Sequence, residues 1–158
     1  MTVTTFRLRV NGSERIVQAD ENQSLLDILR NACGLKGTRF GCGSGECGAC
    51  HVLLDGASAP ACDTPVWAAQ GREIVTVEGL ARGGRPSALQ QAFIEEQAGQ
   101  CGYCLSGILA SATALLQREP RPSEAQVRQA LDGHLCRCGA HNRIVRAVLR
   151  AAAAGVTR

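Results

Sequence analysis

Gly41-Cys42-Gly43-Ser44-Gly45-Glu46-Cys47-Gly48-Ala49-Cys50, with Cys62 beyond it, is the stretch that decides the first half of this chain. The spacing is C-x4-C-x2-C, and the fourth cysteine follows after eleven intervening residues. Three thiols on so short a segment meet at one inorganic core only if the backbone turns tightly on itself. Gly41, Gly43, Gly45 and Gly48 are expected to supply the positive φ angles of that turn. They also let backbone N–H groups approach the sulfurs, which helps to set a redox potential.

The C-x4-C-x2-C…C arrangement is the signature of a plant-type [2Fe–2S] site. Structural zinc sites favour two separate C-x2-4-C knuckles, whereas the two gaps here share a cysteine. A disulfide framework fits poorly with nine cysteines, an odd number at short and unequal spacings. Iron–sulfur ligation is therefore favoured over zinc or a disulfide pair. A reducing compartment follows from thiolates held by metal.

The chain has 158 residues, enough for one ordinary domain or two small ones. Aromatics make up only 3% of it, so little area is available for a core and metal clusters are expected to add stability. The formal charge is +3 with cysteines counted neutral. Two oxidised [2Fe–2S] cores, each with four thiolates, would bring that close to zero. The slight basicity does not point to nucleic acid, and there is no basic stripe with interleaved aromatics. No stretch is long enough to span a membrane. Met1–Val10 lacks an apolar core of the kind a secretory signal carries. A cytoplasmic location is expected, with export on a partner's signal as the alternative.

From Phe6 to Val10 the chain alternates, and Asn11-Gly12 then marks a hairpin turn into Ser13–Ala19. Ser24, with Asp27 in the first turn, opens a helix running to about Ala32. His51–Leu54 is a short strand and Asp55-Gly56 a turn. Ala57–Ala61 leads into Cys62, and Arg72–Val77 alternates as a last strand. A hairpin, a helix and further strands predict a mixed sheet on one helix, an α+β domain over 1–79. Residues 80–86, rich in glycine and arginine and without periodicity, read as a linker. From 87 to 158 the pattern is helical. Ser87 with Gln90 and Ser123 with Gln126 are capping boxes. Cys104, Ile108, Leu109, Ala112, Leu115 and Leu116 share one helical face, and Ile144, Val145, Val148 and Leu149 mark a last helix. Four short helices predict a small bundle.

The second cysteine group is Cys101-Gly102-Tyr103-Cys104 with Cys136-Arg137-Cys138. Each motif sits where a helix meets a loop, so an antiparallel bundle brings four thiolates together. A redox dithiol or a four-thiolate zinc site would use the same residues. A second [2Fe–2S] cluster is favoured, because C-x-C is unusual for zinc and one cluster site is already present.

Together, Gln100-Cys101-Gly102-Tyr103-Cys104 and Leu135-Cys136-Arg137-Cys138 behind a C-x4-C-x2-C loop resemble the small iron–sulfur subunit of the molybdenum hydroxylases. This is the xanthine oxidase and aldehyde oxidoreductase family, and the resemblance is strongest to its nicotinate dehydrogenase and isoquinoline oxidoreductase type. It implies a β-grasp ferredoxin-like domain followed by a four-helix domain. It also implies that Cys42, Cys47, Cys50 and Cys62 hold one cluster and Cys101, Cys104, Cys136 and Cys138 the other. A molybdopterin cofactor is expected on a separate large subunit, with Gln100 and Cys138 at the pterin. Electrons would run through the helical-domain cluster to the ferredoxin-like one, then to a flavin, a cytochrome or another acceptor. The substrate would be an N-heteroaromatic or an aldehyde. His134 stands where many relatives carry asparagine, and Leu105-Ser106-Gly107 where many carry threonine-proline-glycine.

Cys33 matches neither cluster pattern and reads as a small buried hydrophobe. His51, His134 and His141 flank the cysteine groups and read as neighbours of the ligands or subunit contacts, each group already having four cysteines. Trp67 reads as a packing residue. No nucleophile–base pair, phosphate loop or catalytic carboxylate pair stands out, so substrate chemistry is placed on another chain. A free-standing ferredoxin-like carrier and a zinc-stapled interaction module are the competing readings.

Overall fold

In the computed structural model, residues 3–155 are described, and the ends of the two predicted domain ranges lie outside them. The N-terminal half is a five-stranded mixed sheet. Its strands are β1 (Val3–Val10), β2 (Ser13–Asp20), β3 (His51–Leu54), β4 (Ala57–Pro60) and β5 (Glu73–Val75), in the order β2-β1-β5-β3-β4. The Asn11-Gly12 and Asp55-Gly56 turns close the β1–β2 and β3–β4 hairpins, all four residues with positive φ as a type I′ turn requires. β5 joins the hairpins, parallel to β1 and antiparallel to β3.

Alternation tells which way each strand faces. On β1, Phe6, Leu8 and Val10 are buried and the residues between them exposed, so that hairpin is covered on one face. On β3, by contrast, Val52, Leu53 and Leu54 are all buried. Val52 and Leu54 belong to the sheet's own core with Leu25, Leu26, Ile28 and Leu29. Leu53 points the other way, beneath the helical half, and its burial is worth about 2 kcal/mol.

The predicted first helix is split. α1 (Leu25–Asp27) starts at Ser24, whose hydroxyl accepts from the Asp27 amide at 3.2 Å, and continues as a π-helical turn over Ile28–Ala32. The wider turn ends with the Cys33 amide on the Ile28 carbonyl. Arg30 then donates to the carbonyls of Lys36 and Thr38, which fixes the path into the cysteine loop. A short α2 (Val66–Ala69) follows Cys62 and was not foreseen. It leaves Trp67 57% exposed, so the packing role expected for that residue is corrected. The last strand is shorter than expected, and Val77–Leu80 forms a 3-10 turn whose apolar residues rest on the helical core.

The helical half contains α3 (Ala88–Glu95), α4 (Leu105–Arg118), α5 (Glu124–Leu131) and α6 (His141–Ala153). Both capping boxes form, at Ser87 with Gln90 and at Ser123 with Gln126. The apolar stripe foreseen on α4 is buried with Val127, Leu131, Ile144, Val145 and Val148 in a core separate from that of the sheet. Glu96 receives Arg146 and Arg150 and so ties the end of α3 to α6. α4 packs across β3 and β4 and joins the two halves. No helix among the described residues is long and apolar enough to cross a membrane.

Candidate metal centres

The first cysteine loop lies between the π-turn and β3. Gly43, Gly45 and Gly48 take positive φ as expected, but Gly41 does not. Gly41 is needed for a different reason: a side chain there would run into the Cys47 sulfur, 2.5 Å from an added Cβ. The loop turns its amides inward. Ser44, Glu46 and Cys47 N–H groups reach the Cys42 Sγ at 3.3–3.4 Å, Gly45 N–H reaches Cys62 Sγ at 3.3 Å, and Cys62 N–H reaches Cys50 Sγ at 3.4 Å. Donors aimed at sulfur stabilise thiolate charge. Hydrogen bonds from Ser44, and from the Cys47 amide, bring the exposed Cys42 thiol down to about 6. Burial instead pushes Cys50 up to about 12, with the neighbouring Cys62 and Cys47 thiols adding to the effect.

The second group is assembled from distant segments. Cys104 is the N-cap of α4, with Cys101 just ahead of it, while Cys136 and Cys138 lie on the turn between α5 and α6. The Ala140 amide donates to Cys136 Sγ at 3.5 Å. Burial works against ionisation of Cys136, but hydrogen bonds from the Ala140 amide, the Cys104 thiol and the Cys138 and Gly139 amides outweigh it and lower its pKa. The Tyr103 amide lowers that of exposed Cys101. Burial pushes Cys104 up to about 12.

The donor sets fit a two-iron core. All nine cysteines are free thiols, and in each group they stand in neighbouring pairs. Cys42 lies beside Cys47 and Cys50 beside Cys62 in one group; Cys101 lies beside Cys138 and Cys104 beside Cys136 in the other. Two thiolates per iron is what a [2Fe–2S] rhomb takes. The ninth thiol, Cys33, is half-buried against the sheet core, and burial raises its pKa.

Gln100 is brought to the second group, its Nε2 reaching the Cys138 carbonyl at 3.5 Å from an exposed position. The three histidines also lie close to the cysteines. His51 Nδ1 meets Ser58 Oγ at 2.7 Å, and His134 Nε2 meets Ser111 Oγ at 2.7 Å. Burial holds His134 at about 4, the adjacent His51 ring adding to the effect, so the ring is neutral.

Sequence reasoning missed the contact between the groups. The Leu135 amide donates to the Cys47 carbonyl at 3.0 Å, and Ser106 Oγ donates to the Ala49 carbonyl at 3.1 Å. Gly107 lies so close to the Gly48 carbonyl that an added methyl would overlap it. The available signal was the small residues Ser106, Gly107 and Ser111 on the buried face of α4. Such residues mark close approach of another backbone.

Comparison with known proteins agrees with this geometry. Residues 8–74 match the 2Fe-2S iron-sulfur cluster binding domain family, and residues 76–149 match the [2Fe-2S] binding domain family. The chain is 52% identical to a nicotinate dehydrogenase subunit of Pseudomonas putida, over 94% of this chain and 95% of that protein. It is 46% identical to the alpha subunit of isoquinoline 1-oxidoreductase from Brevundimonas diminuta, over 87% and 90% respectively. It superposes on a chain of quinoline 2-oxidoreductase from Pseudomonas putida 86 with a TM-score of 0.92 and 39% identity, covering 96% of this chain and 95% of that one. With two [2Fe–2S]-binding domains in this order and relatives matched along nearly their whole length, the chain belongs to the small electron-transfer subunits of the molybdenum hydroxylases.

Proposed function

We propose that this chain relays electrons within a complex that hydroxylates a nitrogen heteroaromatic. The observation that carries the proposal is the pair of four-cysteine groups, one per domain, with their loops in direct backbone contact. In this reading Cys42, Cys47, Cys50 and Cys62 hold the ferredoxin-like centre, and Cys101, Cys104, Cys136 and Cys138 the helical one. When bound, each centre supplies one-electron redox capacity. The chain's own part is to hold paired thiolates, to direct amides at their sulfurs and to keep bulk water off Cys50 and Cys104. We divide the chain at the 80–86 connection, with a sheet domain before it and a helical domain after it.

Gln100 and Cys138 are proposed to face a molybdopterin cofactor on a large partner subunit, since Gln100 is exposed and its side chain reaches the carbonyl of the partly exposed Cys138. Three relatives named for nicotinate, isoquinoline and quinoline support a ring-nitrogen substrate over an aldehyde. A flavin or cytochrome subunit is the proposed acceptor, and the cytoplasm the proposed location. The test is to purify the chain with whatever binds it and to measure metals and EPR. The expected result is a large molybdenum-bearing partner and two distinct [2Fe–2S] signals on reduction. A chain that purifies alone with a single signal, or that carries zinc without visible absorption, would overturn the proposal.

A further inference from the structure

We propose that His134 is the positioning residue for electron passage between the two centres. The inference rests on the ligand sets proposed above. Cys136 is bonded through one residue's backbone to the Leu135 amide, and that amide donates to the carbonyl of Cys47 at 3.0 Å. The path from one sulfur to the other therefore runs through backbone and a single hydrogen bond, with no gap to cross. Electronic coupling falls off far more steeply through empty space than along bonds. With both groups loaded, the bridge would pass one electron at a time, the loss at the centre held by Cys136 balancing the gain at the centre held by Cys47, with no atom or proton transferred.

The bridge works only while the Leu135 amide points at Cys47, and His134 is the residue that aims it. It is 4% exposed and held on several sides. Its amide donates to the Leu131 carbonyl at 3.0 Å, and its carbonyl accepts from His141 Nε2 at 2.9 Å. Its ring meets Ser111 Oγ at 2.7 Å and packs edge-on to His51, with centroids 4.8 Å apart. The far side of the ring rests on Gly48, where an added methyl would overlap Nδ1. Gly48 has φ +78°, and only glycine takes that angle without strain. Ser111 Oγ in turn lies 2.5 Å from Ser58 Oγ, which lies 2.7 Å from His51 Nδ1, and His51 adjoins Cys50. One polar chain thus ties the neighbour of Cys50 to the segment carrying Cys136.

The test uses the full chain in its complex, loaded with both clusters. A photoexcited deazaflavin injects an electron in a flash, and rapid-freeze EPR follows its redistribution between the two signals. His134→Ala should slow redistribution about tenfold or more, as small misplacements do when partners must be aligned. The midpoint potentials should stay at their native values, and exchange of the Leu135 amide should quicken. His134→Gln, which still reaches Ser111, should recover most of the native rate. Ser111→Ala, which frees the ring and cuts its link to Ser58 and His51 but leaves the His134 backbone bonds in place, should slow it less and answers the question if His134→Ala loads poorly. A purely structural role would lower stability and leave the rate alone. Native rates in both alanine variants would overturn the proposal. A native chain lacking one EPR signal would overturn the ligand sets, and the route with them.

Discussion

The two cysteine groups reach the same donor set by opposite means. The first is local: one loop carries three of its thiols, and its own amides at Ser44, Gly45, Glu46 and Cys47 line the sulfurs. The second is global: Cys101 and Cys104 meet Cys136 and Cys138 only because α4, α5 and α6 pack around Ile108, Val127 and Ile144. A local site depends on backbone conformation, and a global one on the core beneath it. The contrast predicts where each is vulnerable.

The largest effects should come from the buried thiols. Cys50→Ala is expected to abolish the ferredoxin-like EPR signal and spare the other, and Cys104→Ala to do the reverse, each with about half the iron lost, since each rhomb holds two irons. If either variant loses both signals, the two sites are not separate in the way described. Gly107→Ala comes next. Its methyl would press on the Gly48 backbone, and overpacking of that kind should cost about 3 kcal/mol in chemical denaturation. Full native stability would mean that the join between the halves is loose. Ser123→Ala removes the cap of α5 and should cost about 1 kcal/mol, weakening the helical signal's thermal persistence and not that of the loop. Cys33→Ala should be smallest, about 0.5 kcal/mol or less, with both signals and the full iron content retained. A lost signal would make the ninth thiol a ligand.

Much of this was legible in the chain because its causes are short-range. Asn11-Gly12, the capping boxes, the alternation of β1 and the loop spacing each act within a few residues, and each appears in the structure. The π-turn after Asp27 was not legible, because its wider bonding serves packing beneath the sheet. Nor was exposed Trp67, whose apolar character suggested a core position. The seam between the halves was hidden for a different reason. Its acceptors are the carbonyls of Cys47 and Ala49, and a main-chain atom leaves no mark in the side-chain pattern.

β3 is enclosed between α1 on one side and α4 on the other, with Val52 and Leu54 turned one way and Leu53 the other. A strand packed on both faces ties the sheet half to the helical half. On the ligand sets proposed above, this packing sets how far apart the two centres lie, and control of current is expected at the docking ends, where partner proteins would hand charge in or take it away.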